Sequence, residues 1–71
     1  SYGTYTTVQG VFKGVYPPYA NLITKSGKTL YVMMGPPWAF ATLGITPQLL
    51  EGKPAVVQGY LYGSAIRATA I

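Results

Sequence analysis

A single break, Gly-Pro-Pro-Trp at residues 35–38, most constrains how this chain can fold. The run before it, residues 29–34, alternates as a half-buried strand does. The run after it, residues 38–43, can form one or two helical turns, with Pro37 suited to the first helical position and Gly44 to the residue that ends a helix. The break therefore predicts one short helix inserted into a chain that is otherwise β-structure.

The residue inventory excludes most kinds of catalytic or metal site. The 71 residues include no cysteine and no histidine, so there is no disulfide and there are no nitrogen or sulfur ligands for zinc, copper or haem. Glu51 is the one carboxylic side chain, which excludes paired-carboxylate chemistry and a carboxylate cage for calcium. We predict one domain, no cofactor, no metal and no enzymatic activity, although a mechanism based on lysine or tyrosine stays open.

The surface is predicted to be poor in charge and rich in tyrosine. Only 8% of the residues are charged, 49% are hydrophobic, and seven are tyrosine. Such a surface favours contact with copies of the chain, a ligand or a cell envelope. No apolar run is long enough to span a membrane. The start at Ser1 favours an exported protein at the cell surface or outside the cell, with a cytoplasmic location as the alternative.

Five β-prone segments are predicted. The first, residues 4–16, carries apolar side chains on both faces, so it should bury one face early and the other late, bending at Gly10 and Gly14. Turn residues separate the remaining segments, and a linker over residues 45–50 leads to a turn at residues 51–53. The other strands are predicted at residues 20–25, 29–34, 54–62 and 65–71, with a hairpin at residues 26–28 and inward side chains at Leu30, Val32 and Met34.

This order of elements resembles the OB-fold, a five-stranded, partly open Greek-key barrel. Residues 52–59, Gly-Lys-Pro-Ala-Val-Val-Gln-Gly, are similar to the Gly-Asp-x-Val-x-Val-x-Gly entry to the fourth strand of many small OB domains, with Lys53 and Ala55 as departures. The Gly-Pro-Pro-Trp connector resembles one in small prokaryotic OB-like domains. An SH3-like barrel is the alternative fold, although it would not ordinarily place a helix after the third strand.

The resemblance implies one candidate site. Nucleic-acid-binding OB-folds use strands two and three, where aromatic side chains stack on bases and cations contact phosphates. The matching residues here are Tyr19, Lys25, Lys28, Tyr31 and Met33. The alternative is that Tyr31 packs against a neighbouring strand and that the lysines only keep a hairpin soluble.

A second candidate surface would join copies of the chain. Its residues are Tyr2, Tyr5, Val56, Tyr60 and Tyr62. The N-terminal segment, residues 1–7, would extend the first strand or add to a strand edge of a neighbouring subunit, and the alternative is a monomer with a disordered N-terminus. Trp38 is interpreted as a plug of one barrel end rather than as part of a ligand pocket.

Two functions follow. The favoured one is a non-enzymatic structural module that self-associates through tyrosine-rich faces and strand edges, as an exported oligomer or filament subunit. The alternative is a single-stranded nucleic-acid-binding protein that uses the face of strands two and three. Its formal net charge of +4 permits a polyanionic partner without identifying one.

Overall fold

The computed structural model describes residues 3–35 and 46–71, which form five strands and one 3₁₀ helix. The predicted helix over residues 38–43, with its plug Trp38, lies outside the described residues. The described part of the chain contains no helix long and apolar enough to cross a membrane. The strands are β1 (Thr4–Tyr16), β2 (Tyr19–Thr24), β3 (Thr29–Met33), β4 (Pro54–Tyr62) and β5 (Ala65–Ala70), and the 3₁₀ helix (Pro47–Leu50) lies between β3 and β4.

The five strands form a closed barrel in the order β1-β2-β3-β5-β4. All neighbours are antiparallel except β3 and β5, which pair in parallel over three residues. The predicted all-β, five-stranded barrel is confirmed, and its strand order is compatible with an OB-like fold. The sheet closes because β1 is long enough to pair with β4 through its first part and with β2 through its last.

The bend predicted in β1 is a bulge at Gly14. The register of β1 against β2 shifts between Phe12 and Val15, and Gly14 has a φ of +92°, which a residue with a side chain rarely adopts. Phe12 is buried before the bulge and Val15 after it, although strict alternation would place them on opposite faces. β1 therefore changes its buried face along its length, as predicted.

One apolar core fills the barrel. Three of its members are the inward residues predicted for the third strand: Leu30, Val32 and Met34. Each follows the preceding one by two residues, so the alternation of a strand brings all three to the inner face. The buried core residues are Phe12, Val15, Ala20, Leu22, Leu30, Val32, Met34, Val57 and Ile66.

The predicted boundaries needed small corrections. β2 runs over Tyr19–Thr24 rather than residues 20–25, because Lys25 already belongs to the turn that the Gly27 N–H closes on the Thr24 carbonyl. β3 and β5 each end one residue earlier than predicted. The linker predicted over residues 45–50 is wrong in part, since Pro47–Leu50 form the 3₁₀ helix and Leu50 packs against the core.

Candidate interaction surface

Six aromatic residues, with Met33 and Arg67, cover the outer face of the barrel. Residues paired directly across two strands point to the same side of a sheet, so a chain of pairs traces a row of neighbouring side chains. The main row is Tyr16–Tyr19–Met33–Arg67–Tyr60–Tyr5, and the adjacent row is Asn21–Tyr31–Ala65–Tyr62. We call Tyr5, Tyr16, Tyr19, Tyr31, Met33, Tyr60, Tyr62 and Arg67 the tyrosine belt.

Most of the tyrosine belt faces solvent. Tyr60 alone is half-buried, and the exposed fraction of the other apolar members ranges from 41% for Tyr62 to 73% for Tyr16. The main row begins and ends on β1, at Tyr16 and Tyr5, so it passes around the whole barrel. The exposed aromatic side chains lie on four of the five strands, and β5 contributes Arg67 to the row. Exposed aromatic area of this kind is a feature of surfaces that bind other molecules.

Three members of the belt hold one another in place. The Tyr5 and Tyr60 rings meet edge to face with centroids 5.1 Å apart, and the Arg67 guanidinium carbon lies 5.0 Å from the centre of the Tyr60 ring. The Tyr5 hydroxyl also lies 3.3 Å from the Thr69 hydroxyl. These contacts join β1, β4 and β5 on the outer surface of the barrel.

The structure brings together only part of the predicted nucleic-acid site. Tyr19 and Met33 are direct cross-strand partners, and Tyr31 lies on the same outer face. Lys25 and Lys28 lie in the β2–β3 turn, at the other end of β2 from Tyr19. At about 3.3 Å per residue, the backbone of Lys25 is roughly 20 Å along the strand from that of Tyr19. Arg67, which pairs with Met33, is the cation adjacent to this aromatic group.

The predicted self-association residues are also divided. Tyr5, Tyr60 and Tyr62 belong to the tyrosine belt, whereas Val56 pairs with Gln9 and lines a groove elsewhere on the barrel. Tyr2 lies outside the described residues. Within the segment 1–7, residues 4–7 extend β1 and pair with β4 of the same chain.

Sequence reasoning missed two members of the belt. Tyr16 flanks the two-proline turn on one side and Tyr19 on the other, and a two-residue turn makes its flanking residues partners. That spacing could have revealed Tyr16. Arg67 had no such local signal, because it meets Met33 through the long-range parallel pairing of β3 and β5.

A shallow groove of about 690 Å³ lies where β1 pairs with both β2 and β4. Its floor includes the cross-strand row Ile23–Val11–Pro54, and Lys13 and Lys25 line it as well. The described lining includes no aromatic side chain; it consists of Gln9, Gly10, Val11, Lys13, Ile23, Thr24, Lys25, Pro54, Ala55 and Val56. The groove is thus chemically distinct from the tyrosine belt.

The carboxylate of Glu51 accepts hydrogen bonds from the backbone of β1. Its two oxygens accept hydrogen bonds from the Gly14 N–H at 2.9 and 3.0 Å, and one also accepts from the Val15 N–H at 3.0 Å. These donors lie at the bulge of β1, beyond the point where β4 begins. Residues 3–35 and 46–71 hold no cluster of three side chains that could bind a metal ion.

Comparisons with protein-family models, curated proteins and solved structures give no match for this chain.

Proposed function

We propose that this chain is a non-enzymatic structural module whose copies associate through the tyrosine belt, as an exported oligomer or filament subunit. The observation that carries the proposal is the extent of the belt, which presents tyrosine side chains on β1, β2, β3 and β4 and is joined across β5 by Arg67. Tyrosine is enriched at protein interfaces because a large apolar ring and a hydroxyl together gain contact area and a hydrogen bond.

The two ends of the belt differ, which supports open-ended association. Around Tyr16 and Tyr19 the surface is highly exposed, whereas the half-buried Tyr60 ring meets Tyr5 edge to face and lies beneath Arg67. A contact between two different patches is head-to-tail, and it extends into a filament unless its rotation closes a ring. We further propose an OB-like identity for the domain, which the strand order and the connector at residues 35–38 support.

Sedimentation velocity over a range of protein concentrations tests the association. We expect a sedimentation coefficient that rises with concentration, and a lower one for the double variant Tyr19→Ser with Tyr62→Ser, which removes exposed rings without opening the core. Leu49→Ser is the matched control, because Leu49 is 70% exposed and lies outside the belt. A concentration-independent monomer, or equal effects of the belt variant and the control, would contradict the proposal.

Single-stranded nucleic-acid binding is the second candidate function. It is favoured by the common outer face of Tyr19, Tyr31 and Met33, next to which Arg67 is placed by its pairing with Met33. A labelled thymidine oligonucleotide titrated at two salt concentrations should bind with a log–log slope of about −0.7 per phosphate contact. Tyr31→Ala should weaken it by about 1–3 kcal/mol through lost stacking. Absence of binding at low salt would remove this candidate.

A further inference from the structure

We propose that the groove between β1, β2 and β4 binds an extended, acidic segment of a different protein, with an apolar residue at the centre of the segment and a carboxylate on each side. This site lies apart from the tyrosine belt, and it goes beyond self-association.

The groove has one apolar row that crosses β1, with a lysine on each side of the row. Val11 pairs with Ile23 on one side and Pro54 on the other, which makes an apolar row across three strands. Lys13 lies two residues beyond Val11. Lys25 follows Thr24, the partner of Gly10, so it lies near the level of Gln9 on the opposite side of the row. The apolar row is therefore flanked by one lysine on each side.

The spacing of the lysines matches an extended peptide. Between the levels of Gln9 and Lys13, β1 advances four residues, or about 13 Å at 3.3 Å per residue. Two acidic residues four positions apart in an extended segment span the same distance. The peptide residue midway between these two acidic residues then lies over Val11 and its neighbours, where an aliphatic side chain would be shielded from water.

The charge of the groove indicates an acidic partner. Glu51 is the only carboxylic side chain of the protein, and its oxygens are bonded to the N–H groups of Gly14 and Val15. No ion pair of Lys13 or Lys25 is found within the described residues. A second copy of this chain has no other carboxylic side chain to offer, so complementary charge has to come from a different molecule.

The lining of the groove favours a peptide over nucleic acid. Single-stranded nucleic acids bind on aromatic side chains, on which their bases stack. The six tyrosines among the described residues lie in the belt, and the described floor of the groove is aliphatic and proline-lined. Such a floor suits a Leu, Ile or Val side chain.

The test is a titration of the ¹⁵N-labelled protein with the peptide acetyl-Gly-Glu-Ala-Leu-Ala-Glu-Gly-amide, followed by heteronuclear NMR. We expect saturable shifts of the amides of Gly10, Val11, Ile23 and Ala55. A peptide with both glutamates replaced by glutamine should bind about tenfold more weakly, since exposed ion pairs each contribute modestly. Equal binding of the two peptides, or shifts confined to the tyrosine belt, would overturn the proposal.

Two sets of variants complete the test. Lys13→Gln with Lys25→Gln should weaken the acidic peptide about tenfold, whereas Lys28→Gln, a neighbouring exposed lysine that does not line the groove, should leave it within about twofold. Val11→Thr keeps the shape of the floor but replaces a methyl group with a hydroxyl, and it should weaken both peptides. Spectra without peptide verify that each variant is folded. Tighter, lysine-dependent binding of a six-nucleotide thymidine strand to the same amides would identify a nucleic-acid site and overturn the proposal.

Discussion

Glu51 takes the place of a missing strand neighbour. Beyond Val11, β1 has no partner residue in β4, and the N–H groups of Gly14 and Val15 bond to the Glu51 carboxylate instead. The residue after Glu51 is also bonded to β1, since the Gly52 N–H donates to the Phe12 carbonyl. One acidic side chain thus stabilises the bulge at which β1 changes its buried face.

Replacing Glu51 with glutamine should lower the free energy of unfolding by about 1–2 kcal/mol. The amide keeps one acceptor oxygen but loses the charge that strengthens bonds to two N–H groups. Urea unfolding monitored by circular dichroism measures the change. Lys53→Gln, on the same turn and exposed, should stay within about 0.5 kcal/mol of the parent, and an equally small effect of Glu51→Gln would argue against this role.

Gly59 is required for the close approach of β4 and β5. A Cβ at Gly59 would lie 2.1 Å from the Arg67 carbonyl oxygen and 2.9 Å from the Ala68 Cα, both of which are backbone atoms. The register of the two strands shifts at this residue. Glycine at such a position lets one backbone contact another closely.

Gly59→Ala should therefore destabilise the barrel by about 1–3 kcal/mol or more, because β5 has to move away. Thermal unfolding compares it with Gly27→Ala in the β2–β3 turn. A Cβ at Gly27 meets no atom within 4 Å, but Gly27 has a φ of +88°, so that variant reports the strain of a side chain at positive φ without a steric contact. If Gly59→Ala melts at the temperature of the parent protein, the close contact at Gly59 does not limit stability.

At the scale of elements, side-chain contacts on the outer surface help to hold β1, β4 and β5 together. Tyr5 on β1, Tyr60 on β4 and Arg67 on β5 form one cluster of contacts across three neighbouring strands. β1 and β4 also share the longest register in the barrel, from the Thr4–Leu61 pair to the Val11–Pro54 pair. The cluster therefore reinforces one side of the barrel from outside, where the core does not reach.

A double-mutant cycle on Tyr60→Leu and Arg67→Gln should show a coupling of about 0.5–1 kcal/mol, the usual size of an exposed cation–π contact. Denaturant unfolding of the four proteins supplies the values. Tyr16→Leu with Arg67→Gln is the control cycle, since these residues are not cross-strand partners, and it should be additive. Coupling of equal size in both cycles would mean that the Tyr60 contact has no special role.

At the scale of the whole molecule, charge and aromatic area are largely separated. Lys13 and Lys25 line the groove, Lys28 lies in the β2–β3 turn and Lys53 immediately precedes β4, while Arg67 alone belongs to the belt. With a formal net charge of +4, copies of the chain repel one another through solvent even as their belts attract.

Raising the ionic strength from about 0.1 M to about 1 M should therefore strengthen self-association, because the Debye length falls from about 10 Å to about 3 Å and the repulsion is screened. The same change should weaken the acidic peptide in the groove, which depends on attraction between opposite charges. Sedimentation velocity follows the first effect and NMR titration the second. If salt strengthened both self-association and peptide binding, or weakened both, then charge repulsion between copies and charge attraction in the groove would not explain the two equilibria.

Much of the fold was predictable because strand signals are local. Alternation identified β4 with correct boundaries, and the bend in β1 followed from apolar residues on both faces together with Gly14. The 3₁₀ helix was missed because Pro47–Leu50 is too short for a helical period to show. The candidate sites were predicted only in part, since nothing local indicates that Met33 meets Arg67 or that Val11 meets Pro54.

By itself, the sequence determined the residue chemistry: a chain with one carboxylic side chain, few charges, seven tyrosines and five β-prone segments. Composition and period-two alternation are properties of neighbouring residues, and they persist whatever the strands pair with. Tertiary structure decided which side chains share a surface, because closure of the barrel sets the register between distant strands. That register collects six tyrosines, with Met33 and Arg67, into the belt and places Lys13 and Lys25 on either side of an apolar row.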